Sequence, residues 1–455
     1  MALLKTRNID MTQGSPVSLM FRFATPTLIG SIFQTLYSMA DSAILGRYAG
    51  SKALAAVGAT AQSTGFILLF AMAVTSAFSI FISQKVGAKD SEGVRRCFAS
   101  AISLTAILGV VLGFIGIIAA RPLMRLLGAP ADIIDDSVLY VRIICGGCMA
   151  QFFYNAATST LRSIGNSMTP LIILIFTSIL NVILDVIAVV VLHLGVAGVA
   201  SATVISQAVS AVLCMIYIFR RYTDIIPKEG EWVPQKELTA DILKMGLLFG
   251  LQNSFLTIGM MYISRIVNSY GSTIVAAFTI GQNVQHLTTT ALYGYISPFS
   301  VFAGQNLGAK RYDRIRKGVR QMYGLAALFC LLATLVSELF PGALVGLYLK
   351  SHETQVIEAA VSFVKIQGWF LIFLGIIEVF KATLRGMGKI PVTMVSSFVE
   401  LGCKILGALL FPLAMGYTGI WYAAPVGWIL GIIPAAVYYY SGKWEPKEEP
   451  AVSAN

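Results

Sequence analysis

Three short stripes of polar side chains interrupt otherwise apolar sequence, all in the first half of the chain. Gln34, Tyr37 and Asp41 are spaced i, i+3, i+7. Thr177, Asn181 and Asp185 are spaced i, i+4, i+8, and Thr203 and Gln207 are four apart. On an α-helix each set shares one face, so the three could converge on one pocket. Carboxylates, an amide oxygen and hydroxyls together suit a hard cation such as Na+. Two acids brought together in low dielectric can equally share a proton. Thr203 has a competing use, because a helical threonine hydroxyl can bond its own backbone.

The second half carries a different polar set. Glu378 and Lys381 are i, i+3 with Arg385 one turn on, and Glu400 and Lys404 are i, i+4. Both spacings favour mutual neutralisation, and Glu400–Lys404 reads as a structural pair. Gln282, Asn283, Gln285 and His286 form a run too polar to face lipid, so they are expected to line a cavity or a bundle interior. Histidine is the residue type suited to a proton switch, although a satisfied interior histidine explains His286 as well. Met149, Met260, Met261 and Met394 with Phe152, Phe153 and Tyr154 could soften a promiscuous pocket, or simply pack. No Cys, His or carboxylate cluster has catalytic or structural-metal spacing. An enzyme and a resident cofactor are therefore not expected, and H+ or Na+ is the only small ion implied.

These groups sit in a chain of 455 residues that is 56% hydrophobic and 12% charged. A soluble domain carries about 25% charged residues, so the bilayer is the expected solvent. Twelve spans are read at 17–45, 53–84, 97–119, 138–160, 169–192, 196–219, 242–268, 274–305, 321–348, 357–383, 391–413 and 418–440. Several exceed the roughly 20 residues a bilayer requires, which predicts tilt or kinks. Pro26 predicts a bend in the first span, because it removes a helix hydrogen bond. The polar first sixteen residues and the length of the first apolar run argue against a cleavable signal.

A net charge of +11 would suit nucleic acid, but its distribution does not. About 23 of the 33 Lys and Arg fall in loops on one side, among them Lys5, Arg7, Lys85, Lys89, Arg162, Lys244, Lys310, Arg316, Lys389 and Lys447. Only Arg47, Lys52, Arg121, Arg125 and Lys350 fall opposite. This positive-inside bias predicts a multi-pass protein of the cell (inner or plasma) membrane with both termini cytoplasmic. Its partners are then membrane lipid and small organic molecules, not nucleic acid, and nothing in the sequence calls for more than a monomer. Of the six cysteines, Cys145-Gly146-Gly147-Cys148 has redox-motif spacing but lies inside a span, where small residues pack helices closely. His193 and His352 fall near outer helix ends and carry no expected role.

The chain is internally duplicated. Ser79-Ile80-Phe81-Ile82-Ser83-Gln84-Lys85-Val86-Gly87-Ala88-Lys89 recurs as Ser300-Val301-Phe302-Ala303-Gly304-Gln305-Asn306-Leu307-Gly308-Ala309-Lys310, 221 residues later. Leu161-Arg162 and Gly165 recur as Leu384-Arg385 and Gly388, with a two-residue length change. The polar stretch from Arg220 to Lys244 divides the chain into halves of six spans each. An even number makes the repeats parallel, an arrangement common in secondary transporters. The expected organisation is an N-terminal lobe (1–222), a cytoplasmic linker (223–241), a C-terminal lobe (242–441) and a cytoplasmic tail (442–455). At the 221-residue offset Asp41 falls on Tyr262 or Ile263 and Asp185 on Leu406, so the acids belong to one half and the ion chemistry is expected there.

Met11-Thr12-Gln13-Gly14-Ser15-Pro16, the proline-bearing first span with Gln34, Tyr37 and Asp41, both Q-x-x-G-A-K segments and both L-R-x-x-G segments resemble the multidrug and toxic compound extrusion (MATE) family. The resemblance covers nearly the whole chain. It implies an all-α integral membrane protein of twelve transmembrane helices in two parallel six-helix repeats arranged as a V around a central cavity. It also implies alternating-access export of organic cations and other amphiphiles in exchange for H+ or Na+. By the same resemblance to its archaeal and DinF-like branches, Asp41, Asn181, Asp185 and Thr203 form a cation or proton site. Gln34, Tyr37, Gln207, Gln282, Asn283, His286 and Glu378 would then face the substrate cavity. Some family members carry an essential acid on the tenth helix, which Glu378 approximates, although neighbouring Lys381 argues against a coupling role. A major-facilitator transporter is disfavoured, because Gly87-Ala88-Lys89-Asp90-Ser91-Glu92-Gly93-Val94-Arg95-Arg96 does not fit its G-x-x-x-D-R-x-G-R-R loop. A lipid or lipid-linked oligosaccharide flippase is the alternative, disfavoured by the lack of cationic residues in the middle of the first two spans.

Overall fold

A computed structural model describes residues 8–348 and 353–445. Lys5, Arg7, Lys350, His352, Lys447 and most of the expected tail lie outside the described residues. Among the described residues there are helices and no strands. They run α1 (Pro16–Tyr48), α2 (Gly50–Gly87), α3 (Ser91–Leu126), α4 (Ile134–Gly146), α5 (Cys148–Ser163), α6 (Met168–Asp185) and α7 (Gly195–Arg221). The second half has α8 (Lys236–Asn268), α9 (Ser272–Ile296), α10 (Phe299–Gly308), α11 (Tyr312–Leu339), α12 (Pro341–Gly346), α13 (Thr354–Gly386), α14 (Ile390–Leu410), α15 (Pro412–Met415) and α16 (Thr418–Tyr440).

Nine of these helices are long and apolar enough to cross a membrane, or ten if the bent pair α4/α5 counts as one span. The remaining two expected positions are filled by α2 and by α9 with α10. The surface agrees with a lipid solvent. On α3, Ile107, Val110, Val111, Phe114, Ile115 and Ile118 are all between 45% and 65% exposed, a contiguous apolar face that water would penalise.

Five expected spans bend, change helix type or break along their length. The 138–160 span bends by 48° between α4 and α5, at Gly147. The 169–192 span turns from α- to π-helix over Val186–Val191, directly after Asp185. The 274–305, 321–348 and 391–413 spans break where Pro298, Pro341 and Pro412 start a new helix or cap it. Proline has no amide to donate, so the helix ladder stops there unless it restarts. By contrast, α1 is helical through Pro26.

Both duplicated signatures are helix ends. After α2, the amides of Ala88, Lys89 and Asp90 bond the carbonyls of Gln84, Val86 and Lys85. After α10, Ala309, Lys310 and Arg311 bond Gln305, Leu307 and Asn306 in the same pattern. Lys89 (φ 56°) and Lys310 (φ 55°) both take the left-handed conformation that such a cap demands. The L-R-x-x-G segments repeat the device, with Gly165 (φ 88°) and Gly388 (φ 75°) in the left-handed position.

The described residues divide into two compact units. One comprises Arg22–Gly250 with the residues up to Met11; the other comprises the residues from Leu251 onward with Thr12–Phe21. The boundaries fall inside α1 and α8, and α8 itself begins at Lys236. The first unit is built around Phe78, Phe98, Leu161, Cys214 and Ile218. The second is built around Ala277, Phe363 and Trp421, whose ring stacks on Phe278 at 5.9 Å. Within the first unit, Arg95 grips Glu231 through two hydrogen bonds of 2.6 and 2.9 Å, tying the segment between α7 and α8 to α3.

Candidate functional site

In the first unit α1, α5, α6 and α7 bring the expected polar stripes together. A small cavity of about 30 Å³ is lined by Gln34 and Tyr37 of α1, Thr177 and Asn181 of α6, and Thr203 and Gln207 of α7. The Ser210 hydroxyl stands 2.8 Å from that of Thr177, joining α7 to α6. Thr203 donates its proton to Val199 of its own helix at 2.9 Å, which leaves its oxygen lone pairs free.

The acids lie at the α6 end of this cluster. Asp41 and Asp185 have their carboxyl groups within hydrogen-bonding reach of each other, and Tyr140 of α4 stands close enough to feel both. Asp185 is fully buried and Asn181 is 2% exposed. Both oxygens of Asp185, one oxygen of Asp41, and both the oxygen and the nitrogen of Asn181 are buried without a protein hydrogen-bond partner. A buried polar atom left unpaired costs about 1–3 kcal/mol, more if charged. Two like unit charges about 4 Å apart repel by about 4 kcal/mol even at an effective dielectric of 20. The donor set is therefore complete only with something positive between the acids: a shared proton, or a cation taking the carboxylate and amide oxygens. The π-helical turn begins at the next residue, and such widened turns are frequent at functional sites.

In the second unit the charges satisfy one another. Lys381 and Lys404 place their ammonium groups 2.5 Å from opposite oxygens of Glu400. Lys404 also stands 5.7 Å over the Trp428 ring. The expected Glu378–Lys381 pair is only a loose contact at 3.6 Å, and Lys381 is instead held by Glu400, 19 residues away. Beside this cluster lies a cavity of about 220 Å³ lined by Gln282, Gln285, His286, Tyr293, Glu378 and Trp428 among others. Asn283 is exposed and lines none of the described cavities; the helix turns it by about 100° from Gln282 and about 160° from Gln285. His286 is on the cavity but exposed, not an interior histidine.

Sequence reasoning missed Gln151, Ser178, Ser206 and Ser210 in the first unit and Gln367 in the second. Gln151 and Gln367 are single polar residues in apolar helices, a weak signal, and the serines carry none. Tyr154, grouped in the sequence with possible soft-pocket residues, does line the first cavity, whereas Phe152 is buried in packing. Gly147 abuts the Val204 side chain, and a β-carbon on Gly113 would come within 2.8 Å of the Cys145 carbonyl oxygen. The Cys145–Cys148 segment is thus a close-packed helix break, with both thiols free and buried.

The MatE family model matches residues 26–187 and again 249–410. The probable multidrug resistance protein YpnP of Bacillus subtilis is 27% identical over 437 residues, covering 96% of this chain and 97% of that protein. The probable multidrug resistance protein NorM of Thermotoga maritima is 26% identical over 443 residues, covering 94% and 93%. Among solved structures, one of MATE in the bent conformation aligns with TM-score 0.88 at 24% identity over 96% of this chain and 97% of that one. A multidrug resistance MATE family transporter in an outward-facing conformation aligns with TM-score 0.86 at 24% identity, covering 96% and 97%. These structures share the fold, with its two repeated halves.

The two matched copies are equally long and start 223 residues apart, the offset of the L-R-x-x-G caps. On this register Thr177, Asn181 and Asp185 correspond to Glu400, Lys404 and Ala408, which corrects the assignment of Leu406. The packing agrees. Ser210 faces Thr177; α7 and α16 keep the 221-residue offset that relates Gly195 to Gly416, and there the counterpart Gly431 faces Glu400, whose β-carbon lies 2.9 Å from where a Gly431 β-carbon would be.

Proposed function

The chain belongs to the MatE family, and from that premise we propose that it is a secondary active efflux antiporter. It exports small organic molecules, cationic or amphiphilic in character, in exchange for H+ or Na+. One observation carries the reading: Asp41, Asn181 and Asp185 hold buried oxygens that meet no protein donor, and the carboxyl groups of Asp41 and Asp185 adjoin each other. Asp41 and Asp185 hold the coupling ion, Asn181 lends its amide oxygen, and Thr203 offers a hydroxyl oxygen at the edge of the same cluster. Gln34, Tyr37 and Gln207 connect that site to the substrate path. In the second unit Gln282, His286 and Glu378 face a larger space suited to substrate contacts.

The corresponding stripe of the second unit supports this division of labour. There Lys404 takes the place of Asn181, and the carboxylate of Glu400 is already neutralised by two tethered ammonium groups. A coupling cation would have to displace them, so ion exchange belongs to the first unit. Antiport by alternating access then requires that the ion bind one state more tightly than the other, since only differential affinity shifts a conformational equilibrium. The positive charge bias supports placement in the cell membrane with both termini cytoplasmic.

The test is uptake of a fluorescent organic cation into everted membrane vesicles under an imposed pH gradient and, separately, a Na+ gradient. Accumulation driven by either gradient, and lost when that gradient is collapsed, is the expected result. Indifference to both gradients would overturn the reading and restore the lipid flippase alternative.

A further inference from the structure

At one end of the second unit, α11, α16 and the residues after α16 enclose a cavity of about 300 Å³. Arg316, Arg320 and Tyr323 reach it from α11, where their i, i+4, i+7 spacing puts them on one face. Tyr440 and Trp444 close the other side. Trp444 folds back so that its indole nitrogen donates to the Tyr439 carbonyl at 2.7 Å and its ring stacks on that of Tyr439 at 5.5 Å. The Tyr323 hydroxyl is buried at the cavity, within reach of that of Tyr440.

The segment that supplies these two arginines is strongly basic. Residues 310–320 include Lys310, Arg311, Arg314, Arg316, Lys317 and Arg320 against a single acid, Asp313. Asp313 is taken by Arg311, and Arg314 is engaged with Asn306 and the Gly14 carbonyl. Arg316 pairs with Glu445 at 2.7 Å. Arg320 is exposed and has no ion pair among the described residues. Beside the cavity the outer face of α16 continues as Tyr440, Val437 and Ile433, exposed by 72%, 65% and 52%. They follow one another at i, i+3 and i+4 and form one apolar stripe leading away from the arginines.

We propose that this cavity is a headgroup site for an anionic phospholipid. Arg320 and Arg316 hold the phosphate, the tyrosine hydroxyls bond the glycerol region, and an acyl chain follows the Tyr440–Val437–Ile433 stripe. A cationic pocket walled by Tyr and Trp and continued by a lipid-exposed stripe fits a molecule with an anionic head and an apolar tail. Free phosphate would use the arginines but leave the stripe without a partner.

The test is native mass spectrometry and thermal melting of the purified full-length protein in detergent. It is titrated with phosphatidylglycerol, with phosphatidylcholine of the same chains, and with inorganic phosphate. Phosphatidylglycerol should bind more tightly than phosphatidylcholine, and Arg320→Ala and Arg316→Ala should each reduce that preference, by about fivefold per arginine lost. Arg121→Ala, in the other unit, should leave it unchanged. Equal binding of the two lipids, an unaltered preference in Arg320→Ala, or competition by inorganic phosphate as strong as that of phosphatidylglycerol would each overturn the assignment. Binding is read without transport, so this result is separate from the antiport test.

Discussion

Replacing Asp185 with asparagine separates a coupling role from a structural one. The side chain is fully buried, yet neither carboxylate oxygen accepts a hydrogen bond from a protein donor. Asp185→Asn therefore removes no protein hydrogen bond, whereas a structural aspartate would lose about 1–3 kcal/mol for each bond broken. The amide is isosteric and uncharged, so stability should stay within about 1 kcal/mol of the wild type, or rise as a buried charge is removed. Transport should respond quite differently. A gradient of two pH units supplies about 2.7 kcal/mol per proton, enough for about 100-fold accumulation of exchanged substrate. With the acid pair reduced to one, that driving force no longer couples, and the accumulation ratio should fall to about 1. Exchange of labelled for unlabelled substrate down its own gradient should persist. The assay pairs melting of the purified protein at a fixed scan rate with uptake into everted vesicles; under a Na+ gradient the same contrast applies. Wild-type accumulation by Asp185→Asn would refute the coupling role, and a loss of about 3 kcal/mol or more would refute the claim that the carboxylate has no structural partner.

Three further outcomes follow from the geometry. Lys381→Met leaves Glu400 buried with one partner in place of two, and should destabilise by about 3–5 kcal/mol; Lys381→Met combined with Glu400→Gln should recover most of that loss in the same melts, and an additive double variant would sever the link. Gly386→Ala places a β-carbon on the Ser300 carbonyl oxygen, where backbone cannot yield, so a loss of about 1–3 kcal/mol is expected, read as reduced yield and melting temperature. The Arg95 guanidinium holds the Glu231 carboxyl down at about 2. A lowered acid stabilises above its unfolded value and loses that contribution as pH falls through the folded one, so hydrogen exchange in residues 223–235 should stay protected from pH 7 to about 4.5 and rise towards pH 2. Arg95→Ala should abolish the protection already at pH 7.

The helical faces of the first unit were legible because i, i+4 spacing is a property of one helix. Gln34, Tyr37, Asn181, Thr203 and Gln207 therefore reach one cavity as read. Asn283 was misjudged because it was grouped with its polar neighbours, although a helix turns it away from Gln282 and Gln285. The Glu378–Lys381 pairing followed the same local logic and forms, but at 3.6 Å it is the longer of the two contacts Lys381 makes. Glu400 on another helix offers a closer, drier partner, and burial rewards the shorter contact. The breaks at Pro298, Pro341 and Pro412 were written in the residue type but outweighed by hydrophobic length, while the bend at Gly147 and the π-turn after Asp185 left no clear mark.

Composition, charge asymmetry and duplication determined, from sequence alone, a membrane protein of two repeated helical halves in which Asp41 and Asp185 of the first have no acidic counterpart in the second. They could do so because bilayer thickness, positive-inside bias and helical period act on residues in their order along the chain. Only the tertiary structure decided which charges are satisfied. It set Asp41 against Asp185 with no donor between them, and it set Glu400 between two lysines. Those outcomes depend on how helices far apart in sequence pack, and in low dielectric a contact a few ångströms shorter decides whether a buried charge is a structural pair or a site awaiting an ion.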